Sequence, residues 1–364
     1  MAWIRLSLVT TFAMTTPEPP VKKSTLKMTD LARMAGVSKS TVSRALQNSE
    51  LVNLETREKI QALAKEHNYR LNTQARNFRL KESLTIGVVI PSAENARWQI
   101  TDPFFLELLG SISFCLIEQG HEMLLSGLSL HAVASGHDGL RRINCDGLIV
   151  MGQADCHEDL NRIADGHTPV VVWGAKLPDQ RYCTVGGDNV RGGFIATQHL
   201  LEQGCKQVAI IGDWGSPEGQ LRYEGYRQAL LAANIAPQPA LEVGVGNTRD
   251  AHRQATLKLL ASGHPFDGLF CLSDAMAMAA ISALNEQGVA VPHKVAVVGY
   301  DDISLARYYT PSITTVYQDR ELGGRWLVEK LLKIIDGENV ESALLPTELV
   351  PRNTSLREVL NRNI

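Results

Sequence analysis

Apolar positions recur every three or four residues near the start of the chain, then give way to unbroken apolar runs. From Met28 to Ala35, "MTDLARMA" puts Leu31, Met34 and Ala35 on one helical face, and Gly36 ends the turn. In "GVSKSTVSRAL", residues 36–46, Val37, Val42, Ala45 and Leu46 keep the rhythm. Ser38 stands at the N-cap of a second helix running from about Lys39 to Leu46. Asn53 caps a third, "LETREKIQALAKEHNY", with Ile60, Leu63 and Ala64 facing inward. Two short helices across a Gly turn, buttressed by a third, predict a helix-turn-helix unit over 28–70. Residues 71–83 are basic, with no apolar stripe wide enough to bury alone, and read as a linker that turns helical on a partner.

After Leu84 the period changes. "LTIGVVIP" is a buried parallel strand, "FFLELLGSISFCLIEQG" a helix closed by Gly120, and "HEMLLSG" another strand. "CDGLIVMG", "TPVVVWG", "KQVAIIGDWG", "DGLFCLSD" and "KVAVVGYD" repeat the strand pattern, with helices between most of them. Such alternation implies parallel sheets with right-handed crossovers. The strands are too many for one compact Rossmann unit and lack barrel regularity, which predicts two such subdomains with a cleft between them over 84–357.

The formal net charge of -3 hides an uneven distribution. Between Lys22 and Glu82 stand 13 Lys/Arg against 6 Asp/Glu, and from Ser83 onward 22 against 32. A basic head on an acidic body points to a polyanion as the head's partner. The six cysteines, at 115, 145, 156, 183, 205 and 271, form no CxxC and no Cys/His metal spacing, as expected of thiols in a reducing compartment. "MAWIRLSLVTTFAM" is too short and too broken by Ser7, Thr10 and Thr11 for an export signal, and no later run reaches membrane-spanning length. Residues 1–27 read as a disordered tail or as a start assigned too early, with Met14 the alternative beginning, and the protein is expected in the cytoplasm.

At this point the chain resembles the LacI/GalR family of transcriptional regulators, over residues 28–357. "VSKSTVSRAL" is similar to the family's recognition helix and "NYRLNTQARNFR" to its hinge helix. "VGGDNVRGGFIATQHLLEQGCKQVAIIG", "RYEGYRQAL" and "VAVVGYDDISLARYYTPSITTVYQD" resemble the entry to the second subdomain, the effector-binding segment and the return crossover. The resemblance implies an all-α helix-turn-helix headpiece, a hinge at 71–83, and a periplasmic-binding-protein-like α/β core of two Rossmann-like subdomains. The N-subdomain would take about 84–186 and 318–345, the C-subdomain about 187–317 and 346–357. It also implies a homodimer on a pseudo-palindromic double-stranded DNA operator, acting as a repressor under a small effector. The tail after Arg352 is too short for the leucine heptads that make some relatives tetramers.

The resemblance assigns roles residue by residue. Lys39, Ser40 and Arg44 would face base edges in the major groove, while Ser38, Thr41, Ser43 and Asn53 bind phosphates. Tyr69, Asn72, Arg76 and Arg79 complete the DNA-facing set. Phe78 departs from the family's usual Leu and would either wedge between base steps in the minor groove, the reading favoured by its neighbours Arg76 and Arg79, or pack the hinge on the core with Leu80. Lys27 replaces the Thr that usually caps the first helix. Arg222 matches the arginine that clamps the effector, and Asp301 the aspartate that accepts from its hydroxyls, expected on the opposite subdomain. Phe104, Phe105 and Trp173 would wall the cleft, with Ser273 and Gln318 as further contacts, a set suited to a sugar or sugar derivative. On residue type alone Arg222 could equally serve a structural ion pair, and the aromatic residues the core.

Two other classes share parts of this pattern. A sugar-binding transport component would need an export signal and no basic head. A sugar-modifying α/β enzyme would need catalytic residues, yet "GVGNTR" (244–249) lacks a third Gly, and no GxSxG, HExxH or Cys/His nucleophile pattern occurs. Neither an enzymatic activity, nor a cofactor, nor a metal, nor a membrane partner is expected.

Overall fold

The computed structural model describes residues 27–357, apart from 47, 68, 70–83, 92–101, 128, 136–144 and 246–249. The chain divides into two units, before and after Leu80. In the first, three helices follow one another: α1 (Met28–Ala35), α2 (Lys39–Leu46) and α3 (Leu54–Glu66). Lys27 supplies no side-chain cap to α1. Instead the Asp30 carboxylate accepts the Lys27 backbone N–H at 3.0 Å, which fixes the helix start without a Thr. Gly36 turns the chain at φ +73°, a left-handed value that glycine adopts freely. The Ser38 hydroxyl then accepts the Thr41 N–H at 3.1 Å, and Asn53 Oδ1 accepts the Thr56 N–H at 2.8 Å, so α2 and α3 both carry N-caps.

Leu31, Val42, Ala45 and Ile60 are fully buried and form the headpiece core with Ala32, Ala35, Val52 and Ala64. Met34, expected inside, is 41% exposed. The buried arc of α1 is Leu31, Ala32 and Ala35, which leaves Met34 on its outer edge.

The second unit is built of two lobes. The first holds β1 (Thr85–Val89), α4 (Pro103–Glu118), β2 (Glu122–Ser126), α5 (Leu130–Ala134), β3 (Gly147–Met151), α6 (His157–Asp165), β4 (Val170–Trp173) and β5 (Cys183–Gly187). The second holds α7 (Asn189–Glu202), β6 (Val208–Gly212), α8 (Pro217–Ala232), β7 (Glu242–Gly244), α9 (Ala251–Ala261), β8 (Gly268–Cys271), α10 (Asp274–Glu286), β9 (Ala296–Val298) and α11 (Ser304–Tyr308). The chain then returns through β10 (Thr315–Gln318), α12 (Arg320–Ile335), β11 (Ala343–Leu345) and β12 (Thr347–Val350). The first lobe's sheet has the order β11-β5-β4-β3-β1-β2 and the second's β7-β6-β8-β9, and every pairing in both is parallel. Helices cover both faces of such sheets, which is why β3, β4, β6 and β8 are buried at every position. β5, β7, β10, β11 and β12 were not legible as strands, since three to five residues carry too little periodicity, and β5 ends in two glycines.

The lobes are joined where the chain passes between them after β5, after β10 and after β11. These passages lie side by side. The Asp188 N–H donates to Thr347 Oγ1 at 3.0 Å, and a Cβ added at Gly187 would stand 3.0 Å from Gln318 Oε1. β10 and β12 pair antiparallel beside them. The C-terminal segment is sewn into the second lobe: Thr354 and Ser355 are fully buried, and the Val297 N–H donates to the Thr354 carbonyl at 2.8 Å.

Candidate functional site: an interlobe cleft and a helix-turn-helix face

Close contact between α7 and α8 positions the central cation of the cleft. A Cβ at Gly193 would collide with the Arg222 carbonyl, and one at Gly225 with the Val190 carbonyl. The glycines of "RGGF" and "YEGY" are therefore what let the two helices touch. Ser216 caps α8 through the Gly219 N–H at 3.1 Å, with Pro217 in its first turn, and Arg222 follows on the cleft side.

The Arg222 guanidinium is held on several sides. Its Nε donates to Asn189 Oδ1 at 2.9 Å and its Nη1 to the Leu272 carbonyl at 2.6 Å. Its plane lies 3.6 Å from the Tyr300 ring centroid. Nη1 stands 3.7 Å from Asp301 Oδ1. Asp301 therefore belongs to the same lobe as Arg222, between β9 and α11, and does not face it from the opposite lobe as expected.

Asp301 sits at φ +110° and Asp302 at +51°, values that side-chain-bearing residues rarely adopt. Such backbone persists only where its surroundings over-determine it. Here the Asp301 N–H donates to Val316, Arg320 Nη1 donates to the Asp301 carbonyl at 2.7 Å, and Arg352 pairs with Asp302 at 2.7 Å. Gln318 Nε2 donates to Asp301 Oδ1 at 2.8 Å. Gln318, expected to touch the effector, does not line the cavity; it orients the carboxylate from behind. Burial pushes the Asp301 carboxyl up to about 7 although Arg222 opposes the rise. Asp274, wholly buried, is likewise pushed well above the usual carboxylate range, by burial first and by Asp301 next.

Between the lobes lies a cavity of about 210 Å³. Phe104, Phe105 and Trp173 line it from the first lobe, with the Phe104 ring 5.7 Å from Phe105 and 5.4 Å from Trp173. Arg222, Asp301 and Ser273 line it from the second. Ser273 also caps α10, its hydroxyl accepting the Met276 N–H at 3.2 Å. An aromatic wall facing a guanidinium and a carboxylate can stack on an apolar ligand face while exchanging hydrogen bonds with its polar edge. Glu107 ties the lobes outside the cavity, accepting the Ser304 N–H at 2.9 Å and pairing with Arg320 at 2.9 Å.

Sequence reasoning missed Asp102, Gln153, Asp213, Glu218 and His252, all of which line the cavity. A signal existed for some of them. "DP" at 102–103 and "SPE" at 216–218 are helix starts placed just after strands, where open α/β sheets bind their ligands. Among the described residues, no cluster of three or more His, Cys, Asp or Glu could hold a metal ion, and no helix is long and apolar enough to cross a membrane.

In the headpiece, Lys39, Ser40 and Arg44 are exposed on α2. The Ser38 hydroxyl lies 2.7 Å from that of Ser40 and 2.8 Å from that of Thr41, gathering three hydroxyls at the start of the helix. Ser43 is half-buried on the same helix, Asn53 is exposed at the start of α3, and Tyr69 packs against the headpiece core. Gln61 bonds the Ala45 carbonyl and Asn48 Oδ1, bracing the end of α2 from α3. Asn72, Arg76, Phe78 and Arg79 lie outside the described residues.

Residues 27–72 match the family profile "Bacterial regulatory proteins, lacI family", and residues 197–355 match "Periplasmic binding protein-like domain". The chain is 31% identical over 313 residues to the HTH-type transcriptional repressor PurR of Haemophilus influenzae (strain PittEE), covering 84% of this chain and 90% of that protein. To the HTH-type transcriptional regulator CelR of Thermobifida fusca it is 32% identical over 348 residues, 92% and 98% of the two chains. Among solved structures, the lac repressor dimer bound to operator and the anti-inducer ONPF superposes with a TM-score of 0.78 at 27% identity, covering 91% of this chain and 99% of that one. The transcriptional regulator CelR–cellobiose complex gives 0.66 at 30% identity, covering 90% and 99%. These relatives are regulators, not enzymes. With a helix-turn-helix headpiece ahead of a two-lobed α/β core that encloses a cleft, the chain belongs to the LacI family of transcriptional regulators.

Proposed function

We propose that this protein is a homodimeric, sequence-specific repressor, acting in the cytoplasm, whose grip on a pseudo-palindromic operator is set by a sugar or sugar derivative in the interlobe cleft. One observation carries the reading: the cavity has its ring wall on one lobe and the Arg222–Asp301 pair on the other. A ligand that touches both walls binds one lobe angle better than another, and so shifts the population between them. CelR, a relative over nearly the whole chain, is solved as a complex with cellobiose, which supports a sugar as the ligand class. Lys39, Ser40 and Arg44 read base edges, Ser38, Thr41, Ser43, Asn53 and Tyr69 set register on phosphates, and Asn72, Arg76, Phe78 and Arg79 serve the minor groove and its backbone. Ordered hinges would add those minor-groove contacts, and melted hinges would leave two tethered headpieces with weak affinity.

The test combines an operator obtained by binding-site selection with binding curves taken with and without a panel of mono- and disaccharides. Arg222→Ala should lose about 1.5–3 kcal/mol of ligand affinity by calorimetry, because a charged hydrogen bond is removed. Its operator affinity without ligand should stay near the parent's. In ligand it should behave as though none were present: permanently bound if the ligand releases the repressor, permanently weak if the ligand recruits it. A parental response in Arg222→Ala would place the effector elsewhere.

A further inference from the structure

Four carboxylates line the cavity among the described residues: Asp102 from the first lobe, and Asp213, Glu218 and Asp301 from the second. Against them stand the Arg222 guanidinium and the His252 imidazole. The guanidinium is largely committed to the protein, through Asn189, the Leu272 carbonyl and the Tyr300 ring. The imidazole is held toward its neutral form, since burial lowers its proton affinity more than Asp102 and Asp213 raise it. The described lining is therefore rich in acceptors and short of positive charge.

We infer that the cleft selects its effector by charge, taking a donor-rich polyol that is neutral or carries an amine and rejecting phosphorylated or carboxylated ones. The inference rests on the sugar reading above and narrows it. In a partly desolvated cavity, charges a few ångströms apart interact several times more strongly than in water. A phosphate or uronate entering this site meets these carboxylates, and among the described lining residues only Arg222 and an imidazole held toward its neutral form oppose them. Neutral hydroxyls or an ammonium instead find carboxylate acceptors, and the rings of Phe104, Phe105 and Trp173 accept C–H groups or a cation on their faces.

Asp102 and Asp213 assign the selectivity to particular side chains. Each uses one oxygen to cap a turn, Asp102 accepting the Phe104 N–H and Asp213 the Gly215 N–H, both at 2.8 Å. Asparagine caps such turns equally well, so Asp102→Asn and Asp213→Asn remove charge while keeping the local hydrogen bond.

The experiment titrates the full chain, by thermal shift and calorimetry, with a matched panel of mono- and disaccharides and their amino, 6-phosphate and uronate derivatives. Neutral or amino members should bind, and the phosphate and uronate of the same sugar should bind at least about 100-fold more weakly. The Asp102→Asn/Asp213→Asn double variant should close that gap by at least about tenfold. A phosphorylated or carboxylated sugar that binds the parent as tightly as its neutral counterpart overturns the inference, as does a gap unchanged in the double variant. Silence across every member of the panel overturns the sugar reading itself and this inference with it, so the two failures look different.

Discussion

Asp301 concentrates the residue-scale physics of the cleft. It lies at a left-handed φ, beside a guanidinium, with a carboxyl that burial lifts to about 7. For an acid whose pKa is raised by folding, the native state holds the proton that the unfolded state has lost. The stability it contributes is fully present below about pH 4 and is lost as pH rises through about 7. Comparing the parent with Asp301→Asn isolates this, because Asn can still accept from Gln318. The parent's melting temperature relative to the variant's should fall by several degrees between pH 4 and 7 and then level off. A difference that stays flat with pH would show that Asp301 titrates at an ordinary carboxylate value. Arg222 and Asp301 were legible because the motifs around them are long. Their lobe assignment was not, since it depends on where the chain crosses, and the acids at 102, 213 and 218 stood in loops and first turns that carry no periodicity.

Among the elements, α2 was read to the residue because a Gly turn, an N-cap and a four-residue apolar rhythm agree there. β10 and β12 went unread because an antiparallel pair joining two lobes is a tertiary event with no local pattern. The exposed Lys39 opens α2, so Lys39→Ala should change base preference within each half-site, at about 1–3 kcal/mol for a lost bidentate contact. Binding-site selection is the measurement, and an unaltered consensus would remove Lys39 from the base readers. Phe78 is the proposed minor-groove wedge. Phe78→Ala should reduce operator bending and specific affinity while sparing effector binding; equal bend angles for variant and parent would end its assignment as a wedge.

On the scale of the whole molecule, the core presents an apolar face that a lone chain would leave wet. Leu106, Phe114 and Ile117 are 48%, 63% and 69% exposed on one side of α4. Exposed apolar side chains gathered on one helix face suit an interface, and the proposed homodimer would seat a second copy of the chain there. Phe114→Asp should shift the protein toward monomer at micromolar concentration in sedimentation velocity and weaken operator binding. An unchanged dimer would move the interface elsewhere.

The three passages between the lobes carry a consequence of their own. A single strand between two bodies would let them swing, twist and slide independently. Three passages laid side by side, with the Asp188 N–H donating to Thr347, act like the leaves of one door hinge: they should restrict those motions more than a lone passage would and favour opening about the axis they share. What the core can report is then a single number, how far the door stands ajar. Chemically different effectors can differ in how strongly they hold that setting, but not in the kind of message they send.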